Sequence, residues 1–318
     1  MSSILSAAKL GSQAGGRPPS AVEISPDGVL AAVRPAAGQR GETGGGTAAV
    51  YAFAPLPAGA LVPGIDEPNL RAPEVVTEAI RSALDQASPR SRAVTLVLPD
   101  STVRVFVLDF DSLPAKTEEA IPVIRFRLRK MVPFDVEHAG VSYQVLAQDK
   151  GEWKVLTAVL PGPVLAEYEA AVRGAGYEPG AVLPSSLAAL EAAGQMEAVL
   201  AANLSGLGIT TMIANGQDLL LYRTLDLPQA TTERIAEVQR SIAVAAAYYE
   251  DKLGAPPRKL YYAGNRDIAQ FAAWIDEPEL TVVELAPRPE SGMLTPLGNE
   301  SIAGVSGALA LRGEAGAG

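Results

Sequence analysis

The sequence predicts an α/β protein of two halves that share one order of elements, βββαβαβα, with a βαββ unit inserted into the first half. Two observations carry this reading. Short apolar, β-branched runs bounded by Gly, Pro, Asp and Asn come as triplets, once over residues 20–53 and again over 197–225. After each triplet, segments with apolar residues three and four apart alternate with further short strands. No residue-level repeat accompanies the pattern; the repeat lies in the order of elements.

Composition bounds what the chain does. Its 318 residues suffice for two modest domains or one bilobed body, and 48% apolar residues suffice for a buried core. A net charge of −10 argues against nucleic acid as a partner, because phosphate binding needs a basic field. Without cysteine there is no disulfide, thiolate metal site or thiol nucleophile. His138 is the one histidine, which speaks against a His-based triad and reads as a solvated loop residue. No run approaches the roughly 20 apolar residues of a membrane helix. The opening MSSILSAAKLGSQAGGRPP lacks the pattern of a signal peptide and reads as a flexible tail, or as a short anchor through Ile4, Leu5 and Leu10. The closing RGEAGAG reads as a disordered tail, and the cytoplasm is the default location.

Taken in order, SAVEIS (20–25) and VLAAVR (29–34) are strands joined by Pro26-Asp27-Gly28. Residues 35–46 are a Gly-rich loop, and TAAVYAF (47–53) is the third strand. Residues 72–86 form an amphipathic helix through Val75, Val76, Ile80 and Leu84, and RAVTLVLP (92–99) is a buried strand. After an interruption come a helix over 162–177, a strand at 180–183 and a helix from Pro184. The second half runs without interruption: strands at 197–204, 208–215 and 218–225, a long helix at 230–253, a strand at 258–264, a helix at 265–275, a strand at 280–285 and a closing helix at 301–312.

The interruption, 101–160, reads as strand (101–110), helix (117–131) and two strands (141–148 and 152–160). Its helix has Thr117 as the expected N-cap, Glu118 and Glu119 in the first turn, and Arg125, Arg127, Arg129 and Lys130 towards the end. That polarity complements the helix dipole. Ile121, Ile124, Leu128 and Met131 supply an apolar stripe, Pro122 sits near the start, and Val132-Pro133 marks the stop. The basic face then reads as a solvated surface.

Two such halves around a cleft describe the actin-like, or ribonuclease-H-like, fold. The expected organisation is a tail (1–19), a first subdomain (20–100 plus 161–195), the insert (101–160), a second half (196–313) and a tail (314–318).

The basic helix, the Val132-Pro133-Phe134-Asp135 that follows and the strand VSYQVL resemble the inserted subdomain of the PilM family, actin-like proteins of type IV pilus assembly. Leu98-Pro99-Asp100-Ser101 with VRVFVLDF, residues 239–264 and the closing 304–313 agree with that family in order and spacing, so the resemblance spans about residues 20–313. It implies a cytoplasmic scaffold, peripheral at the inner membrane. Such a scaffold binds the N-terminal cytoplasmic peptide of a PilN-like membrane protein in a groove beside the insert, and links it to the pilus motor. Arg125, Arg129, Pro133 and Phe134 are the candidate peptide contacts, and the basic charge also suits an anionic leaflet. Self-association into rings or filaments is open to this fold.

The resemblance also implies a nucleotide cleft, with phosphates held on two hairpin turns and Mg²⁺ placed by acids. The first turn is Glu23-Ile24-Ser25-Pro26-Asp27-Gly28 here; Glu23 stands for an Asp, Ser25 for a glycine, and Pro26 lacks an N–H. The second, Asn203-Leu204-Ser205-Gly206-Leu207-Gly208-Ile209-Thr210-Thr211, keeps Ser205, Gly206, Gly208 and Thr210 but has Asn203 for the acid. At the adenosine turn Gly264 and Asn265 are followed by a bulky Arg266. These departures predict a pseudo-ATPase that keeps the fold for scaffolding, with no catalytic residue and no metal ligand assigned. ATP with Mg²⁺ is the alternative ligand. Two other functions compete: the cytoplasmic actin-like part of a type II secretion platform protein, a family that continues into a transmembrane helix, and a kinase-like enzyme. The enzyme has only Glu23 and Asp27 near the first turn to serve as its acid.

Overall fold

The structure is a computed structural model that describes residues 18–34, 49–149, 152–194, 198–216, 218–275, 277–289 and 292–310. The expected N-terminal tail up to residue 17, the loop at 35–46, residues 47–48 and 197 at strand starts, 311–312 of the closing helix and the tail at 314–318 lie outside these residues.

The first half has strands β1 (Ser20–Ser25), β2 (Gly28–Val33), β3 (Val50–Pro55), β4 (Ala93–Leu98) and β8 (Glu178–Pro184), with helices α1 (Pro73–Ala87), α3 (Gly162–Gly174) and α4 (Ser185–Glu191). The second has β9 (Ala198–Leu204), β10 (Gly208–Asn215), β11 (Asp218–Asp226), β12 (Lys259–Gly264) and β13 (Thr281–Glu284), with α5 (Thr231–Leu253), α6 (Ile268–Ala272) and α7 (Ala303–Ala310). The two five-stranded sheets have the same order, β3-β2-β1-β4-β8 and β11-β10-β9-β12-β13. In each, the first three strands are antiparallel and the last two run parallel to the first. The repeat read from the order of elements is therefore a repeat of topology.

The layers follow from the two-residue period of strands. In β1, Val22 and Ile24 pack outward on α1 and α3 with Ile80, Leu84 and Tyr168. Ala21 faces inward, where α4 and α7 lie between the sheets through Leu187, Val305 and Leu309. In the second half Ile209 and Ile213 pack outward on α5 and α6, against Val238, Ile242 and Phe271. Gly254 ends α5 in a left-handed conformation (φ 77°), the usual glycine stop. The small residues of α7 bring it against α4 so closely that a Cβ at Gly307 would fall 1.8 Å from the Ala188 carbonyl oxygen. Gly307→Ala should cost about 1–3 kcal/mol through overpacking. The measurement is the urea midpoint, and an unchanged midpoint would show that α4 and α7 can slide apart freely.

The insert has β5 (Arg104–Phe110), α2 (Thr117–Leu128), β6 (Gly140–Asp149) and β7 (Glu152–Leu160), with strand order β5-β7-β6. Residues 101–102, expected as the start of a strand, instead belong to a 3-10 turn, Asp100–Thr102, in which Thr102 Oγ1 donates to Pro99 O at 2.8 Å. Two details of α2 differ from expectation. Lys116 occupies the N-cap position and Thr117 makes no capping bond. The buried stripe is Ala120, Ile124, Leu128 and Val132, spaced by four, while Met131 is exposed. Spacings of three and four both fit a helix, and the sheet beneath selects between them.

Candidate functional site

The carboxyl ends of β1, β4, β8, β9 and β12 meet between the halves, the place where open α/β sheets gather their sites. Period two puts Glu23 on the inner face of β1 and Asn203, Thr210 and Tyr222 on the inner faces of β9, β10 and β11. Asp100, in the turn after β4, reaches into their midst.

Asp100 is the hub. Its Oδ1 accepts from the Ser186 backbone N–H at 3.0 Å and from Tyr222 Oη at 3.3 Å. Its Oδ2 accepts from the Ser186 hydroxyl, from Thr210 Oγ1 at 3.3 Å and from Asn203 Nδ2 at 3.4 Å. Asn203 Nδ2 also reaches Ser186 Oγ at 3.0 Å and Ser185 Oγ at 3.2 Å, and Thr210 Oγ1 pairs with Thr224 Oγ1 at 2.9 Å. Asp100 thus caps the first turn of α4 while joining the two halves. Glu23 lies beside it, accepting from Ser185 Oγ at 2.6 Å and from the Val305 N–H at the start of α7.

Among the described residues no lysine or arginine lines this cavity. Burial, eased by the Ser185 bond and raised further by the Asp100 charge, pushes the Glu23 carboxyl up to about 7. Burial also raises Asp100, against the lowering effect of its hydroxyl and amide donors. Both residues keep some surface, and that surface opens on a cavity of about 90 Å³ that they line with Ser25, Pro26, Asp27, Ser205, Gly206, Gly264 and Asn265 among others. Of the residues expected at a nucleotide site, Glu23, Ser25, Asn203, Ser205, Gly206, Gly264 and Asn265 therefore converge on one cavity, with Thr210 joined through Asp100; Gly208 supports the second turn.

Both turns are closed on themselves. Ser25 Oγ takes the Gly28 N–H at 3.3 Å, and Ser205 Oγ takes those of Leu207 and Gly208 at 3.3 and 3.0 Å. Asn265 Nδ2 donates to Asp27 Oδ2 at 2.9 Å, a bond from the third turn to the first across the cleft. A Cβ at Gly264 would fall 2.6 Å from Leu204 O, so glycine permits the β9–β12 approach there. Arg266 turns away, lying over the Trp274 ring at 4.4 Å and donating to Gln270 Oε1 at 3.2 Å.

In the insert, Arg125 donates to the backbone carbonyls of Val136, Glu137 and Ala139, the last at 3.0 Å, and so holds the loop after α2. Arg129 pairs with Glu137. Pro133 is exposed and Phe134 half-buried against the insert core. His138 is exposed, with Nδ1 2.6 Å from Asp135 Oδ2.

Among solved structures, the chain is similar to one described as the PilM-PilN type IV pilus biogenesis complex, at 19% identity and TM-score 0.62, covering 92% of this chain and 96% of that one. The chain has the actin-like fold. The cytoplasmic domain of EpsL, an inner membrane component of the type II secretion system of Vibrio cholerae, aligns at 14% identity and TM-score 0.48 over 93% of each chain. No protein-family model and no curated relative matches the sequence. Among the described residues no helix is long and apolar enough to cross a membrane.

In an actin-like fold this cavity stands where a nucleotide would lie, and the residues present do not fit one as arranged. Ligand pockets hold roughly 300–1,000 Å³, well above the 90 Å³ here. Three turn amides, those of Gly28, Leu207 and Gly208, are taken by Ser25 and Ser205, Pro26 has no N–H, and both oxygens of Asp100 are engaged by protein donors. The donor set suits hydroxyl and amide partners within the chain.

Proposed function

We propose that the protein is a scaffold of type IV pilus assembly that binds the cytoplasmic N-terminal peptide of a PilN-like inner-membrane protein and couples it to the pilus motor. The supporting observation is likeness over nearly the whole chain, insert included, to the PilM-PilN structure. On this reading the protein works at the inner face of the membrane, and the peptide lies beside the insert near Pro133 and Phe134. Arg125 and Arg129 shape that edge by fixing the 136–139 loop and remain candidate contacts. The cleft serves as a joint between the halves and needs no nucleotide. Calorimetry tests both parts: titration with the partner's tail peptide should give saturable binding, and titration with Mg-ATP should give no heat. Absence of peptide binding would remove the scaffold reading. Micromolar Mg-ATP binding would mean that the two turns reopen, and nucleotide and peptide affinities would then have to be tested for reciprocal coupling.

A further inference from the structure

The second half of α2 and the turn after it carry Arg125, Arg127, Arg129 and Lys130 and no acid. Arg125 and Arg129 are used within the insert. Arg127 and Lys130 make no ion pair or hydrogen bond among the described residues. Phe126 stands beside them 68% exposed, the most exposed large apolar side chain among the described residues. It projects opposite Ala120, Ile124 and Leu128, with Val123 one turn back and Met131 just beyond, both exposed. Two acids of this region are paired with cations, Glu119 with Lys116 and Glu137 with Arg129, and Asp135 hydrogen-bonds the His138 ring beyond the helix. Glu118 lies two turns away, in the first turn of the helix.

The patch is thus an aromatic flanked by unpaired cations, on a protein whose net charge is −10. It sits on the convex ridge of a helix, and none of the clefts described above reaches it. A peptide partner needs concave walls or a sheet edge to hold it. A lipid interface needs neither, because headgroups and acyl chains close around whatever protrudes. We propose that this face docks on an anionic lipid surface. Phe126, with Val123 and Met131, enters the headgroup region, and Arg127 and Lys130 meet lipid phosphates. Each cation adds roughly fivefold to such binding, so one short helix face binds weakly alone and acts as a second point of attachment.

Co-sedimentation of the full chain with vesicles tests this, using phosphatidylcholine alone and with about one third phosphatidylglycerol. The expected result is several-fold more protein on the anionic vesicles, falling as salt rises. Phe126→Ala, and Arg127→Glu with Lys130→Glu, should each lower the bound fraction at least about threefold at an unchanged melting temperature. Arg90→Glu, at an exposed cation elsewhere, should leave it unchanged. Equal binding to both vesicles, no binding to either, or variants that sediment like the parent would overturn the proposal. So would capture of a poly-glutamate peptide by this face without vesicle binding, which would assign it to an acidic protein.

Discussion

Asp100→Ala should lower the stability of the protein by about 3 kcal/mol, the scale seen when a partly buried charged acceptor is removed and its donors stay behind. The donors differ in how they fare. Thr210 still has Thr224, and Asn203 still has Ser185 and Ser186. The Ser186 amide at the start of α4 has no other acceptor among the described residues, so the helix loses its cap. Asp100→Asn should cost less, since one oxygen remains and neighbouring hydroxyls can turn to accept from the new amide. Asp100 also bonds to three strands of the other half. Its loss should therefore loosen the halves locally before global unfolding, seen as faster hydrogen exchange in α4 and at the cleft ends of β9 and β10. Urea unfolding and amide exchange together decide the matter. A loss under about 0.5 kcal/mol with unchanged exchange would mean the halves are held by apolar packing of α4 and α7 alone.

This hub is also where the sequence was least informative. The elements themselves were legible, because strand triplets and amphipathic helices leave periodic traces: 208–215 and 152–160 are the observed β10 and β7, and most other elements differ by a few residues at their ends. The converging turns were legible as well, since Ser25, Asn203 and Gly264 each sit at a strand end. Asp100 was read only as part of the entry to the insert. A single acid in a turn has no period, and its partners lie 86 to 122 residues away in sequence. A usable signal was its place, just past the carboxyl end of a buried parallel strand, where α/β sites gather. Arg125 was hidden for a related reason. Helical spacing and dipole arguments place it on a solvated face, while its three carbonyl partners belong to a loop eleven or more residues on. The closed state of Ser25 and Ser205 was likewise invisible, because a serine in a hairpin serves a phosphate or its own backbone with the same residue.

Glu23 makes the cleft sensitive to pH, and the sign is fixed by its raised carboxyl. The group lies at about 7 in the folded protein against an ordinary 4.5. Between those values the folded chain holds a proton that the unfolded chain has released. Stability from this group is therefore full below about 4.5, falls as pH rises towards 7, and is flat above. The whole change is at most about 3 kcal/mol, and less to the extent that the carboxyl meets solvent in the cavity. Asp100, raised in the same direction, adds a fall of the same sign. Glu23→Gln cannot ionise, so its stability should decline less steeply than the parent's across that window. Gln has one acceptor oxygen for the two donors, Ser185 and the Val305 amide, so a pH-independent loss of about 1 kcal/mol adds to the variant's shallower profile. The difference in slope is the test, and urea midpoints from pH 5 to 8 supply it. Parallel profiles would mean that Glu23 is already ionised at the bottom of the window. In that case the Ser185 bond and the start of α7 outweigh burial, and the cleft carries two permanent negative charges held by dipoles alone.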